Sequence, residues 1–255
     1  MTTLSRTMAA VFLVVLTLPQ VAEANRPLIT DDSGVAELNE IELELWAELD
    51  VGDGTTDLPV APLGNAELIF SAIPGWEIAL GGGLGVDLDG EFTVVSPTFE
   101  TKVELLPVKD GFNPGVAVVA GAIPPIGVGS EPADDTTLYA IVPATLRPTD
   151  GLDVHINAGW VTTFEEDGLQ SGRPFWGLAA AWSPICPCLT VVGEVVADDP
   201  SVAFDSTVLG QLGLRWAATN NAVFDVGFAS DPSLDWMAQV GVTWVTDVFV
   251  ADPID

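Results

Sequence analysis

Basic residues are the scarcest chemistry in this chain. Seven lysines and arginines and one histidine stand against 37 aspartates and glutamates in 255 residues, a formal net charge of −30. So few cations cannot offset that field near a phosphate backbone, which excludes nucleic acid as a partner. The lone histidine, His155, rules out His-based metal clusters, and no cofactor is expected. Cys186 and Cys188 lack the spacing of a redox or zinc motif. They are either two thiols or one small staple in a proline-containing turn. Beyond the first residues no run of about 18 uninterrupted apolar residues occurs, so no transmembrane helix is expected. Yet 48% of the chain is hydrophobic, which excludes an intrinsically disordered acidic polymer.

The N-terminus reads as a targeting segment. Arg6 precedes the apolar stretch Met8 to Leu18, and Ala22-Glu23-Ala24 supplies a small-x-small cleavage site. The expected organisation is a signal peptide over 1–24 and a single outer-membrane β-barrel domain over 25–255. Cleavage after Ala24 removes one base, Arg6, and one acid, Glu23, so the net charge stays at −30.

Helical periodicity is nearly absent from the rest, and period-two alternation is nearly continuous. In the stretch 40–49, Ile41, Leu43, Leu45, Ala47 and Leu49 share one face, while Glu40, Glu42, Glu44, Trp46 and Glu48 share the other. Similar stretches predict strands at 37–50, 60–73, 76–88, 92–106, 114–124, 136–147, 152–164, 173–184, 188–198, 205–219, 222–229 and 235–247. Tight turns such as Pro74-Gly75, 148–151 and Asn220-Asn221 alternate with longer, acidic connectors at 51–59, 125–135, 165–172, 199–204 and 230–234. The glycines at 81, 82, 83 and 85 lie inside a strand with no helix after them, which points to curvature or close packing rather than a phosphate loop.

An even strand count with long loops at one end and short turns at the other describes an all-β fold. The specific expectation is an antiparallel transmembrane β-barrel of about 12 strands. Tryptophan placement agrees. Trp76, Trp160, Trp176, Trp182, Trp216, Trp236 and Trp244 fall on the apolar face near strand ends, where amphipathic rings meet the membrane interface. Trp76, Trp182, Trp216 and Trp244 mark the short-turn end, and the other three the long-loop end. A soluble, secreted acidic β-sandwich is the competing architecture.

If the apolar face meets lipid, the polar face lines a lumen. Its expected lining is Glu40, Glu42, Glu44, Glu67, Glu100, Lys102, Glu104, Arg147, His155, Asn157, Glu194 and Arg215. Glu48, Glu77, Asp153, Asp225, Tyr139 and Gln211 share that face. So many carboxylates in a narrow space favour cations, unless the few bases tie them into a structural filling. No catalytic constellation emerges. Asn157 shares the His155 face, but no serine accompanies them on that strand. The chain is therefore read as a non-enzyme.

The stretch Arg26-Pro27-Leu28-Ile29-Thr30-Asp31-Asp32-Ser33-Gly34, followed by an acidic alternating strand, resembles an outer-membrane family named for the meta pathway of phenol degradation. Gly151-Leu152-Asp153-Val154-His155-Ile156-Asn157-Ala158-Gly159-Trp160 is similar to a further segment of that family. Thr190-Val191-Val192-Gly193-Glu194-Val195 and Leu212-Gly213-Leu214-Arg215-Trp216 are similar to its later strands. The resemblance spans most of the chain beyond residue 24 and implies an exported, transporter-like barrel without a catalytic set. Two features depart from it. The acidity suggests a saline habitat or an anionic extracellular surface, and the chain continues through Phe249 to Asp255, leaving Trp244 or Phe249 as the terminal aromatic anchor.

The expected function is passive passage or binding of small solutes, cationic or neutral, through an acidic lumen by a monomer in the lipid bilayer of the outer membrane. Glu42, Glu44, Glu100, Lys102, Arg147, His155, Glu194 and Arg215 are its expected gate. Residues 25–34 are expected at the periplasmic mouth, with Arg26 beside Asp31 and Asp32. The alternative is a non-conducting structural or surface-interaction barrel.

Overall fold

The computed structural model describes residues 28–51, 63–86, 92–127, 135–165, 168–197, 208–232 and 236–247. The expected signal peptide, Arg26 and Phe249 lie outside them. The described residues form twelve strands and no helix. In chain order they are β1 (Glu40–Val51), β2 (Leu63–Ile73), β3 (Trp76–Val86), β4 (Phe92–Leu106), β5 (Gly111–Ile123) and β6 (Thr136–Thr149). Then follow β7 (Leu152–Glu165), β8 (Gly168–Cys186), β9 (Leu189–Ala197), β10 (Val208–Thr219), β11 (Ala222–Ser230) and β12 (Trp236–Asp247).

Each strand pairs antiparallel with its sequence neighbour, and β1 closes on β12 from Glu40 opposite Asp247 to Val51 opposite Trp236. One closed sheet replaces the two packed sheets that a sandwich would show. Closure matters physically, because every strand finds hydrogen-bonding partners on both sides and no edge is left open.

The short turns gather at one end, with the start of β1 and the end of β12. Gly75 and Gly151 adopt φ of +75°, which only glycine takes without strain in these two-residue hairpins. Cys186 and Cys188 are joined in a disulfide across the β8–β9 turn, which settles the two readings in favour of the staple. The glycine-rich part of β3 carries a register shift between Gly81 and Gly83 against β4, the curvature its composition suggests. One connector differs from expectation. Most of 165–172 is strand, because β7 and β8 stay paired out to Glu165 opposite Gly168.

The two faces are inverted relative to a water-soluble protein. Leu45, Leu80, Phe99, Ile156, Leu178 and Phe228 are exposed on the outside. Glu42, Glu44, Glu77, Lys102, His155 and Asn157 are buried inside. Alternation alone produces this, since adjacent residues of a strand point to opposite sides of the wall.

Candidate functional site in the barrel interior

The seven tryptophans on the apolar face are all exposed, from 38% for Trp76 to 55% for Trp216. Trp76 opens β3, Trp236 opens β12, and Trp182, Trp216 and Trp244 lie within the last turnward residues of their strands. Trp176 departs from the pattern. It lies in the middle of β8, although it faces Ala197, the last residue of β9. Trp46, on the other face, donates its indole N–H to Glu48 at 2.7 Å.

Of the twelve expected lining residues, Glu42, Glu44, Lys102, His155, Asn157 and Glu194 are buried. Glu40, Glu67, Glu100, Glu104, Arg147 and Arg215 are half-buried. They do not form one constellation. Arg147 makes a bidentate pair with Asp153 across β6 and β7, at 2.8 and 2.9 Å. Glu100 accepts the Tyr139 hydroxyl at 2.8 Å. Tyr139 belongs to a buried apolar cluster with Val119, Ile123, Ile141, Val161 and Phe175.

The convergence point is the segment that precedes β1. Residues 28–36 run through the barrel interior, further than the mouth expected for them. Leu28 packs on Ala179, Ala181 and Val192, and Ile29 packs against the cluster of Val196, Leu209 and Ala229. The Glu194 carboxylate accepts the backbone N–H of both Ile29 and Thr30 at 2.7 Å. Asn157 accepts from the Asp31 N–H at 2.9 Å and donates to the Asp31 carbonyl at 2.7 Å. Thr145 Oγ1 accepts from the Ser33 N–H at 2.9 Å and also lies 3.0 Å from His155 Nδ1. Glu77 accepts the Ala36 N–H at 2.7 Å. Buried backbone groups need such partners, and an irregular segment inside a barrel can find them only on the wall.

Charge reinforces this seat. Lys102 is 3% exposed, and its Nζ lies 2.9 Å from Asp31, 3.4 Å from Asp32 and 3.5 Å from Glu77. Burial pushes the Asp31 carboxyl up to about 7 despite Lys102, with Asp32 and Glu77 adding to the rise. Burial pushes Asp32 upward as well, but Lys102, His155, the Gly34 N–H and Arg215 outweigh it and hold Asp32 below its ordinary value. Two adjacent carboxyls thus divide one ammonium unequally.

Lys102, Asn157 and Glu194, expected along a lumen, hold the N-terminal segment, a role that alternation along a strand does not show. The sequence marks Glu77 only as a neighbour on that face, and Thr145 not at all. The available clue was a stretch rich in Thr, Asp and Ser without alternation, just before the first strand. A second clue was Gly177 interrupting the inner face of β8. His155 takes its partner from the adjacent strand β6, which spacing along β7 cannot reveal.

No curated protein matches the sequence. Among solved structures, the COG4313 outer membrane channel from Pseudomonas putida F1 superposes with a TM-score of 0.61 at 8% identity, covering 86% of this chain and 100% of that one. The NanC porin gives 0.54 at 12% identity, over 79% of this chain and 98% of the porin. The KdgM porin gives 0.53 at 13%, over 80% and 98%. At such identities the likeness is one of fold, that of outer membrane β-barrel channels and porins. Residues 12–231 match the family described as "Uncharacterised conserved protein UCP029691", and the chain belongs to that family.

Proposed function

We propose that this chain, exported after removal of residues 1–24, is a monomeric outer membrane channel that passes or binds small solutes through an acidic interior. The observation that carries the reading is the inverted wall: exposed leucines and phenylalanines outside, and Glu42, Glu44, Glu77, Asn157 and Glu194 buried inside a closed sheet. Carboxylates lining a narrow passage lower the barrier for cations and raise it for anions. The resemblance of the Arg26–Gly34 and Gly151–Trp160 stretches to the phenol meta-pathway family favours transport over catalysis. The buried cluster around Tyr139 and Phe175 gives the interior more apolar surface than the sequence suggests.

Planar-bilayer recording tests this. The purified protein is expected to open channels that prefer potassium over chloride, and Glu42→Gln with Glu44→Gln should lower that preference. Unchanged selectivity removes both residues from the path. The occupied interior favours a second reading, a barrel that stays shut. Zero conductance together with full membrane insertion would support that one.

A further inference from the structure

The contacts between the wall and the N-terminal segment are mostly contacts to main chain. Five successive or near-successive N–H groups, of Ile29, Thr30, Asp31, Ser33 and Ala36, donate to Glu194, Asn157, Thr145 and Glu77, and Asn157 returns a hydrogen bond to a carbonyl. A surface that satisfies backbone groups recognises a chain by its main-chain path, with less regard to its side chains. Side-chain fit is set by absence of bulk. A Cβ on Gly177 would lie 2.6 Å from Thr30 Oγ1, so only glycine there admits Thr30. Thr30 and Ser33 are fully buried, and among the described residues their hydroxyls make no hydrogen bond. Shape, rather than a polar contact, holds those two side chains.

We propose that the inner wall of the barrel is a binding track for a bent, irregular peptide backbone, filled in cis by residues 28–36, and that short peptides are the class of solute able to replace them. The word solute rests on the channel reading above; the track does not. Lys102 adds a preference for peptides that carry adjacent acidic residues, as Asp31 and Asp32 do.

The test uses full-length protein in detergent micelles and a synthetic peptide of the sequence Leu28–Leu38, labelled at the Leu38 end, which is exposed in the barrel. In one variant, Thr30→Trp makes the chain's own segment too large for its seat while leaving the wall intact. In a second, Asp31→Lys with Asp32→Lys drives it from Lys102 by charge, which covers the case that the first misfolds. Fluorescence anisotropy should show the peptide binding both variants and not the wild type, whose track is full. Adding Gly177→Ala to the unseated barrel should weaken this peptide about ten-fold, and a peptide carrying Thr30→Ala should regain the loss. The proposal is overturned by a folded, unseated barrel that ignores the peptide. Equal binding to wild type overturns it too, as does a Gly177→Ala effect that is the same for both peptides. Conductance plays no part in this readout. A barrel that binds peptide but never conducts would sink the channel reading and leave the track standing, and the reverse outcome would do the opposite.

Discussion

At the scale of the residue, the Asp31–Asp32–Lys102 group makes seating of the N-terminal segment depend on pH. Asp31 has an ordinary value of 3.8 when released into water and about 7 when seated. Between those values the seated form holds more protons, so seating weakens as pH rises through the window and changes no further above it. Asp32 works the other way, but its contribution is lost only as pH falls below its ordinary value. Asp31 therefore gives seating a downward slope between about pH 4 and 7. Limited proteolysis of the reconstituted protein is expected to cut residues 28–38 faster at pH 8 than at pH 5, and Asp31→Asn should flatten that difference. A flat wild-type profile would reject this account. Lys102→Met should loosen the segment, most at high pH, where Asp31 is ionised and the carboxylates beside it lose their common cation. Its cost is set at about 3 kcal/mol, the low end for a broken buried pair, since the Asp31 and Asp32 side chains keep 23% and 22% exposure.

At the scale of the element, strands were legible and the interior segment was not. Alternation needs only a few consecutive residues to show itself, and the positions of all twelve strands follow from it. Two details escaped. Pairing of β7 with β8 runs past the acidic residues that resembled a loop, because a hairpin's reach is decided by the partner strand. Trp176 sits mid-strand for the same reason, its height being fixed by a 19-residue β8 rather than by its own neighbours. Residues 28–36 have no period at all, and the wall residues that accept their N–H groups lie between 41 and 165 positions away in sequence. Cross-strand fit is equally invisible in one strand. Gly121 on β5 faces Tyr139 on β6, whose ring covers the glycine so closely that any Cβ there would enter it. Gly121→Ala is expected to lower stability by about 1–3 kcal/mol through overpacking, read from urea unfolding in detergent micelles. Tyr139→Ala in the same chain should absorb most of that further penalty, since the added methyl then meets no ring. A Gly121→Ala penalty that persists without the tyrosine would locate the strain elsewhere.

At the scale of the whole molecule, the two faces of the wall call for different solvents. Exposed apolar side chains surround the wall: Leu212 is 69% exposed, Val240 59% and Phe228 57%. A monomer in water rarely tolerates so continuous an apolar surface, whereas lipid removes its cost and water at both ends suits the outward tryptophans near strand ends. The closed sheet adds a kinetic consequence. With β1 sealed to β12 there is no free edge from which detergent could peel strands one at a time, so unfolding requires breaking a ladder on both sides of some strand at once. Dodecyl sulfate at room temperature should therefore leave the barrel compact, and heating should open it. Outer membranes from cells expressing the chain with its first 24 residues should yield a protein that needs detergent for extraction. On a denaturing gel it should migrate faster unboiled than boiled. If instead it stays in the aqueous fraction and its mobility ignores heating, the exposed leucines and tryptophans must be covered by protein rather than lipid. The membrane assignment would then fall, together with the reading of the acidic interior as a passage.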